Sequence, residues 1–395
     1  MLTRLLLVAG LGAAQVQKSL ADSSACSATT TVRPSGTATP VTVTVTETVT
    51  AVASTASALV KPKVFIINHF ALEEAAWTEP LKLTKLIAAP GFSPLFPDAK
   101  CNAAGAICQL TTGEGEINAA STISALIQSG KFDLSTTYFL VAGIAGINPA
   151  CGTLGSVALQ HYAVQVDLAY EIDPRELTSN YSSGYIPLGA QTPLQYPGFL
   201  YGTEVFEVNA ALRDKVLSIA SNVTLNDSSI AAEYRTKYTQ FPASQPPKVF
   251  AGDGITSDVF WHGELLGKAF SQFAYILTNG SSTYCVTAQE DNAVLEAMLR
   301  GAMAKQVDFS RIILMRAASN FDRPPPGVTA AQQLFYTNQG GFAPSVQNLY
   351  LAGRPIIDEI VGNWDDVYDG GIEPLNYIGD IYGSIKGQKY RPDIG

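Results

Sequence analysis

The chain has 395 residues, 47% of them hydrophobic, so it can build a substantial core. Its 34 acidic and 25 basic side chains leave a formal net charge of −9, with no run of Lys or Arg anywhere. A nucleic acid or an anionic membrane finds no counter-charge here, and neither is an expected partner.

Residues 1–21 read as a secretory signal. Arg4 supplies the charge, Leu5 to Ala14 the short apolar stretch, and Ser19-Leu20-Ala21 a small-residue cleavage site, with a cut after Ala14 as the alternative. The apolar stretch falls far short of the ~20 residues of a membrane span, and no later segment reaches that length without charges or breakers. Direct membrane insertion is therefore not expected; secretion, or association with the cell surface or wall, is. Residues 22–60 are dominated by Ser, Thr, Ala and Val and read as a linker or an O-glycosylated stalk, although the alternation Val41 to Val45 would also suit a strand. The rest, 61–395, is expected to be one α/β domain with an insertion at about 171–247. Sequons at Asn180, Asn222, Asn226 and Asn279 agree with export and predict a glycoprotein.

In an oxidising compartment Cys101 could close a loop with Cys108, and Cys151 could meet Cys285, leaving Cys26 odd. No cysteine pair has zinc-ligand spacing, and His69, His161 and His262 are far apart in sequence, so neither a metal nor a cofactor is expected.

Lys63 to Ile67 is a buried-strand run that feeds a helix carrying Glu73 and Glu74 in its first turn, where the helix dipole favours carboxylates in any case. Thr111 to Ala120 is a glycine-bearing turn entering a helix over Ala119–Gln128. Tyr138 to Val141 is a second buried strand, running into Ala142 to Asn148, whose glycines admit a ligand or simply turn the chain. Glu171 to Pro247, rich in Tyr, Ser, Pro and Asn, reads as an exposed insertion with a helical patch near Asn209 to Ala220. Beyond it, Lys248 to Gly263 sets Phe260 and Trp261 after a glycine-rich turn, placed to stack on a flat ligand or to pack under a loop.

From Ser282 to Gly327 the pattern is strand, helix, strand. Tyr284 to Ala288 is β-branched and apolar, Val294, Leu295, Met298, Leu299, Ala302 and Met303 recur at helical spacing, and Ile312 to Met315 is a second apolar run. Such a crossover predicts parallel strands whose C-terminal ends share one edge, the place where open α/β sheets bind ligands. Gln289, Glu290 and Asp291 follow the first strand; Arg316, Ser319, Asn320 and Asp322 follow the second. These residue types equally serve as ordinary caps and turns.

Five of these segments, Gly113 to Ala120, Val141 to Asn148, Gly252 to Phe260, Ala288 to Ala293 and Arg316 to Asn320, occur in the order seen in the nucleoside phosphorylase/nucleosidase superfamily. The first strand with Leu72-Glu73-Glu74 is similar to the opening of methylthioadenosine/adenosylhomocysteine nucleosidases. With Ser319-Asn320-Phe321-Asp322 and Ser257 to Gly263, nearly all of 61–387 resembles the fungal family named purine nucleoside permeases. The resemblance implies a nucleoside phosphorylase-like three-layer fold, a central mixed β-sheet flanked by helices, and a purine nucleoside substrate. It also implies self-association into dimers or larger assemblies, unless the insertion blocks it.

By that resemblance Glu290, beside Gln289, grips the ribose hydroxyls, Phe260 stacks on the purine, and Glu74 positions the attacking water. Ala145 and Gly146 lie in a loop under the sugar. Asn320, after Ser319, stands where nucleosidases carry the Asp that protonates purine N7. An amide cannot deliver that proton, so either Asp322 supplies it or the substrate is a 6-oxopurine nucleoside, whose N7 and O6 an amide can bond. Where phosphorylases hold phosphate there is Ile144, and no arginine occurs between Arg33 and Arg175. Hydrolysis to base and ribose is thus favoured over phosphorolysis, unless Arg235, Arg316, Arg323 or Arg354 folds into the site. The family's name makes nucleoside binding in support of transport, without catalysis, the rival expectation.

Overall fold

The computed structural model describes residues 58–387, so the expected signal, nearly all of the linker and Cys26 lie outside the described residues. Val64–Asn68 is buried at every position, as a strand covered on both faces must be. It pairs in parallel with Ile107–Thr111 on one side and with the start of Tyr138–Ile147 on the other. Tyr138–Ile147 runs on beyond it and pairs in parallel, along its other edge, with Ile312–Phe321. Tyr284–Ala288 meets the far end of Tyr138–Ile147 antiparallel, Val286 opposite Ile147, and pairs in parallel with Asp253–Thr256. These strands belong to one mixed 13-stranded sheet.

Because side chains alternate along a strand, each strand feeds two cores. Phe65, Ile67, Phe139 and Val141 face the helices Glu116–Gln128 and Asp291–Met303, packing against Ile123, Leu126, Leu295 and Met298. Val64, Ile66, Leu140 and Met315 face the opposite way, against Trp77 of Ala71–Thr78 and Leu349 and Ile356 of Phe342–Gly362. The architecture is three-layer α/β, a mixed sheet between two helical layers.

Four local expectations change. Tyr284–Ala288 and Ile312–Phe321 run oppositely against their shared neighbour, so the crossover between them does not give a parallel pair. The second of these strands extends six residues past Met315, because pairing with Tyr138–Ile147 continues through a register shift between Ala318 and Asn320. Arg316, Ser319 and Asn320 are therefore strand residues. Ala145 and Gly146 likewise sit inside Tyr138–Ile147 rather than in a loop, held by the same pairing. The stretch 171–247 is exposed mainly in its first part. Val205–Glu207 joins the main sheet and Ala210–Ala220, capped by Asn209, packs Leu212 and Val216 into the core. Both disulfides form, Cys101–Cys108 and Cys151–Cys285, and all four sequon asparagines are exposed.

Candidate active site

A cavity of about 200 Å3 opens where these strands end. His69 and Phe70 enter it from the turn after Val64–Asn68, and Ile144, Ala145 and Gly146 from the central strand. Thr287, Gln289 and Glu290 come from the end of Tyr284–Ala288 and the helix entry beyond it. Arg316, Ser319 and Asn320 come from the long parallel strand. Phe70 and Phe342 form one wall, their ring centroids 6.4 Å apart.

One end of the cavity is ionic, with Arg316 as its hub. The guanidinium is buried; Nε and Nη2 donate to Asp291 Oδ1 at 3.1 and 2.5 Å, and Nη2 to Glu290 Oε2 at 3.0 Å. Nη1 donates to the Ile144 carbonyl at 3.2 Å, and Nη2 lies 3.3 Å from His69 Nε2. On the other side of that ring, His69 Nδ1 is 3.0 Å from Thr112 Oγ1, whose own hydrogen is directed to a backbone carbonyl, Gly113 at 2.7 Å or Asn68 at 3.3 Å. This network assigns the proton to Nδ1 and leaves Nε2 to accept from Arg316. Burial, opposed by Glu290 and reinforced by Arg316, brings the His69 pKa down to about 4, so the ring is neutral.

Glu73 completes this end. Its Oε2 accepts the His69 N–H and its Oε1 the Ile144 N–H, each at 2.7 Å. Burial nevertheless pushes its pKa up to about 8, against the opposing pull of Arg316 and the two N–H groups. Glu290 goes the other way: burial would raise it, but His69, Arg316 and the Gly115 N–H at 3.1 Å hold it below the ordinary value. Two neighbouring carboxyls are thus driven apart, a pattern that marks acid–base sites. Only glycine lets this cluster lie against the central strand. A methyl group on Gly143 would be 2.4 Å from Arg316 Nη1 and 3.0 Å from Glu73 Oε1.

The other end is neutral and aromatic. Phe260 stands at the mouth, 58% exposed, above buried Trp261. Asn320 donates from Nδ2 to the Phe321 carbonyl at 3.2 Å and accepts from Ser319 Oγ at 2.8 Å. Asp322 lines the cavity with both oxygens engaged: Arg323 donates to Oδ1 at 2.8 Å and to Oδ2 at 2.7 Å, and the Tyr284 hydroxyl also donates to Oδ2.

Residues 61–373 match the family model described as purine nucleoside permease. The chain is 46% identical over 344 residues to the purine nucleoside permease of Candida albicans, covering 86% of this chain and 84% of that one. The chain belongs to the purine nucleoside permease family. A second family member, a probable purine nucleoside permease of Schizosaccharomyces pombe, is 40% identical over 317 residues, 78% of this chain and 91% of its own. Among solved structures, the chain is similar to a methylthioadenosine/adenosylhomocysteine nucleosidase of Colwellia psychrerythraea in complex with adenine. There the identity is 17% and the TM-score 0.45, over 77% of this chain and 96% of that one.

In this family member the cavity gathers Glu290, Gln289, Phe260, Ser319, Asn320, Asp322, Ala145 and Gly146, and leaves Glu74 out. Glu74 is turned to the side, where its carboxylate bonds Lys100 and, at 2.9 Å, Thr111 Oγ1. Its neighbour Glu73 faces the cavity instead. The sequence held a signal for this choice: Glu73 shares a helix face with Trp77, four residues on, and both are buried. Gln289 is partly committed, its Nε2 donating to the Asp258 carbonyl at 3.2 Å. Nothing in the local pattern of His69 and Thr287 points to the site, and Arg316, expected after a strand end and as one arginine that could reach phosphate, instead pairs with Asp291 and Glu290. Their convergence comes from the pairing of distant strands.

No described helix is long and apolar enough to cross a membrane.

Proposed function

We propose that this permease-family chain hydrolyses purine nucleosides to free base and ribose. The observation that carries the reading is the buried pair Glu73 and Glu290 flanking Arg316 at one end of the cavity, opposite Asn320 and Phe260 at the other. Glu290 holds the sugar hydroxyls. Ionised Glu73 takes a proton from a water that attacks C1′. The C1′–N9 bond breaks, its electron pair goes to the purine, and solvent protonates the departing base. The negative field of the carboxylates favours the positive sugar of the transition state, and a placed base contributes ~10²–10⁴-fold.

Among the described residues, none of Arg235, Arg316, Arg323 and Arg354 offers phosphate a free fork of donors. Arg316 is spent on Asp291 and Glu290, Arg323 on Asp322 and Glu264, Arg235 on Asp227, and Arg354 on Asp358. That favours water over phosphate as the nucleophile. Two disulfides and four exposed sequons support an exported, glycosylated protein acting before another protein carries the product or nucleoside inward. The engagement of both Asp322 oxygens favours a second reading, a nucleoside-binding protein without catalysis, because Asp322 is then not free to protonate the base.

The test is to incubate the full-length protein with purine nucleosides, with and without phosphate, and identify the sugar. Free ribose regardless of phosphate upholds hydrolysis. Ribose 1-phosphate formed only with phosphate overturns it, and binding without cleavage moves the chain to the second reading.

A further inference from the structure

We infer that Asp291 is a positioning residue for the proposed hydrolysis, one that claims the Arg316 guanidinium and so withholds its charge from Glu73. The inference rests on the reading of Glu73 as the base that activates water, and adds the residue that sets when this base is free to act.

Arg316 brings one positive charge to three carboxyl groups, Asp291, Glu290 and Glu73. Asp291 is buried and takes the largest share, its Oδ1 accepting from Nε at 3.1 Å and from Nη2 at 2.5 Å. Glu290 receives one bond from Nη2, whereas Glu73 is bonded to two backbone N–H groups instead. Glu73 is nonetheless close to the guanidinium. A methyl group on Gly143 would meet both Arg316 Nη1 and Glu73 Oε1, so the two face each other across that glycine.

Asp291 is itself held in place. Its Oδ2 accepts from Gln160 Nε2 at 2.9 Å, and this buried amide fits only because residue 254 is glycine, since a methyl there would collide with Gln160 Oε1. Asp291 also opens the helix Asp291–Met303, where the helix dipole favours a carboxylate.

The groups that face Glu73 are Arg316 from the long strand, Glu290 at the helix entry, neutral His69 from the turn before it, and the Ile144 N–H from the central strand. Charge balance among them gives Asp291 its role. With Asp291 ionised, an ionised Glu73 would be the third carboxylate on one guanidinium, out of water. With residue 291 neutral, only Glu290 answers Arg316, and a second carboxylate at Glu73 is favourable. A guanidinium at this range, no longer neutralised, lowers a carboxyl pKa by about 1–3. Asp291 thus helps to hold the Glu73 proton up to about pH 8.

The isosteric change D291N, made in the full-length protein, tests this. Asparagine keeps an oxygen for Arg316, and Gln160, whose Oε1 has no partner among the described residues, turns to accept from the new amide. The expected result is an acid limb of kcat/KM about 1–3 pH units below that of wild type. At pH 6, relative to its own plateau, D291N should then be about 10-fold or more faster. D291E, which keeps the charge, should leave the limb in place. The position of a limb does not depend on the folded fraction, so poor folding does not mimic these shifts.

A second readout needs no turnover. The stability gained on replacing Glu73 with Gln, followed by urea denaturation from pH 5 to 8, should climb with pH in the wild-type background and flatten when D291N is present. Hydrolysis with an unmoved limb in D291N, or a gain as steep with D291N as without it, overturns the inference and leaves the nucleosidase reading standing. A flattened gain without any nucleoside cleavage upholds it while removing hydrolysis.

Discussion

Replacing Glu73 with Gln should abolish turnover and, separately, change how stability depends on pH. The folded carboxyl titrates at about 8 instead of 4.5, chiefly because it is buried. Between those values the unfolded chain has released the proton and the folded chain has kept it. Folded Glu73 thus binds the extra proton, and stability falls as pH rises through this window by about 1.4 kcal/mol per pH unit. At pH 7 the penalty amounts to roughly 3 kcal/mol. Glutamine removes it, but has one acceptor oxygen for two backbone N–H groups, which costs about 1–3 kcal/mol.

Near neutrality the two effects offset, and the slope becomes the informative quantity. Urea denaturation at pH 5, 6, 7 and 8 should show E73Q gaining roughly 4 kcal/mol on wild type across the series. Glu116, which also titrates at about 8, and His161, at about 4, contribute equally to both proteins and cancel in the difference. Nucleoside binding should persist in E73Q while kcat falls by ~10²–10⁴-fold. A stability difference that stays flat with pH would refute the burial argument. Near-normal kcat in E73Q, with E74Q inactive, would return the water to Glu74.

Because Glu73 must lose its proton to act as a base, kcat/KM should climb about tenfold per pH unit from pH 6 and level off above about 8; a rate that declines over that range would make Glu73 an acid instead. Gly143→Ala drives a methyl into Arg316, which its carboxylate partners keep from swinging away, so urea denaturation should register a loss of about 1–3 kcal/mol together with weakened nucleoside binding. The two disulfides should differ in weight. On chain entropy, the Cys151–Cys285 link, with a separation of 134 residues, contributes about 5 kcal/mol, and the Cys101–Cys108 link, with a separation of 7, about 2 kcal/mol. Thermal denaturation of the C151S/C285S and C101S/C108S pairs compares them, and equal losses would count against the entropic account.

The sequence by itself determined the α/β class, and its family resemblance implied the three layers. Val64–Asn68, Tyr284–Ala288 and Asp291–Met303 are legible because burial on two faces or on one helical stripe writes itself into local composition and spacing. Through the motifs that carry the family resemblance, it also brought forward eight of the residues that line the cavity. What it could not decide is everything set by pairing between segments far apart in the chain. The lengths of Tyr138–Ile147 and Ile312–Phe321 depend on each other, and only that ladder makes strand residues of Ala145, Gly146, Ser319 and Asn320. The choice between Glu73 and Glu74 has a local signal in the spacing to Trp77, but it is fixed only when Trp77 docks in the core. Arg316 shows the limit most clearly. In sequence it is a charge after an apolar run; folded, it meets Asp291, Glu290, His69 and Ile144 at once. Its partner set comes from a strand, a turn and the start of a helix, and a buried guanidinium is tolerable only when all of them arrive together.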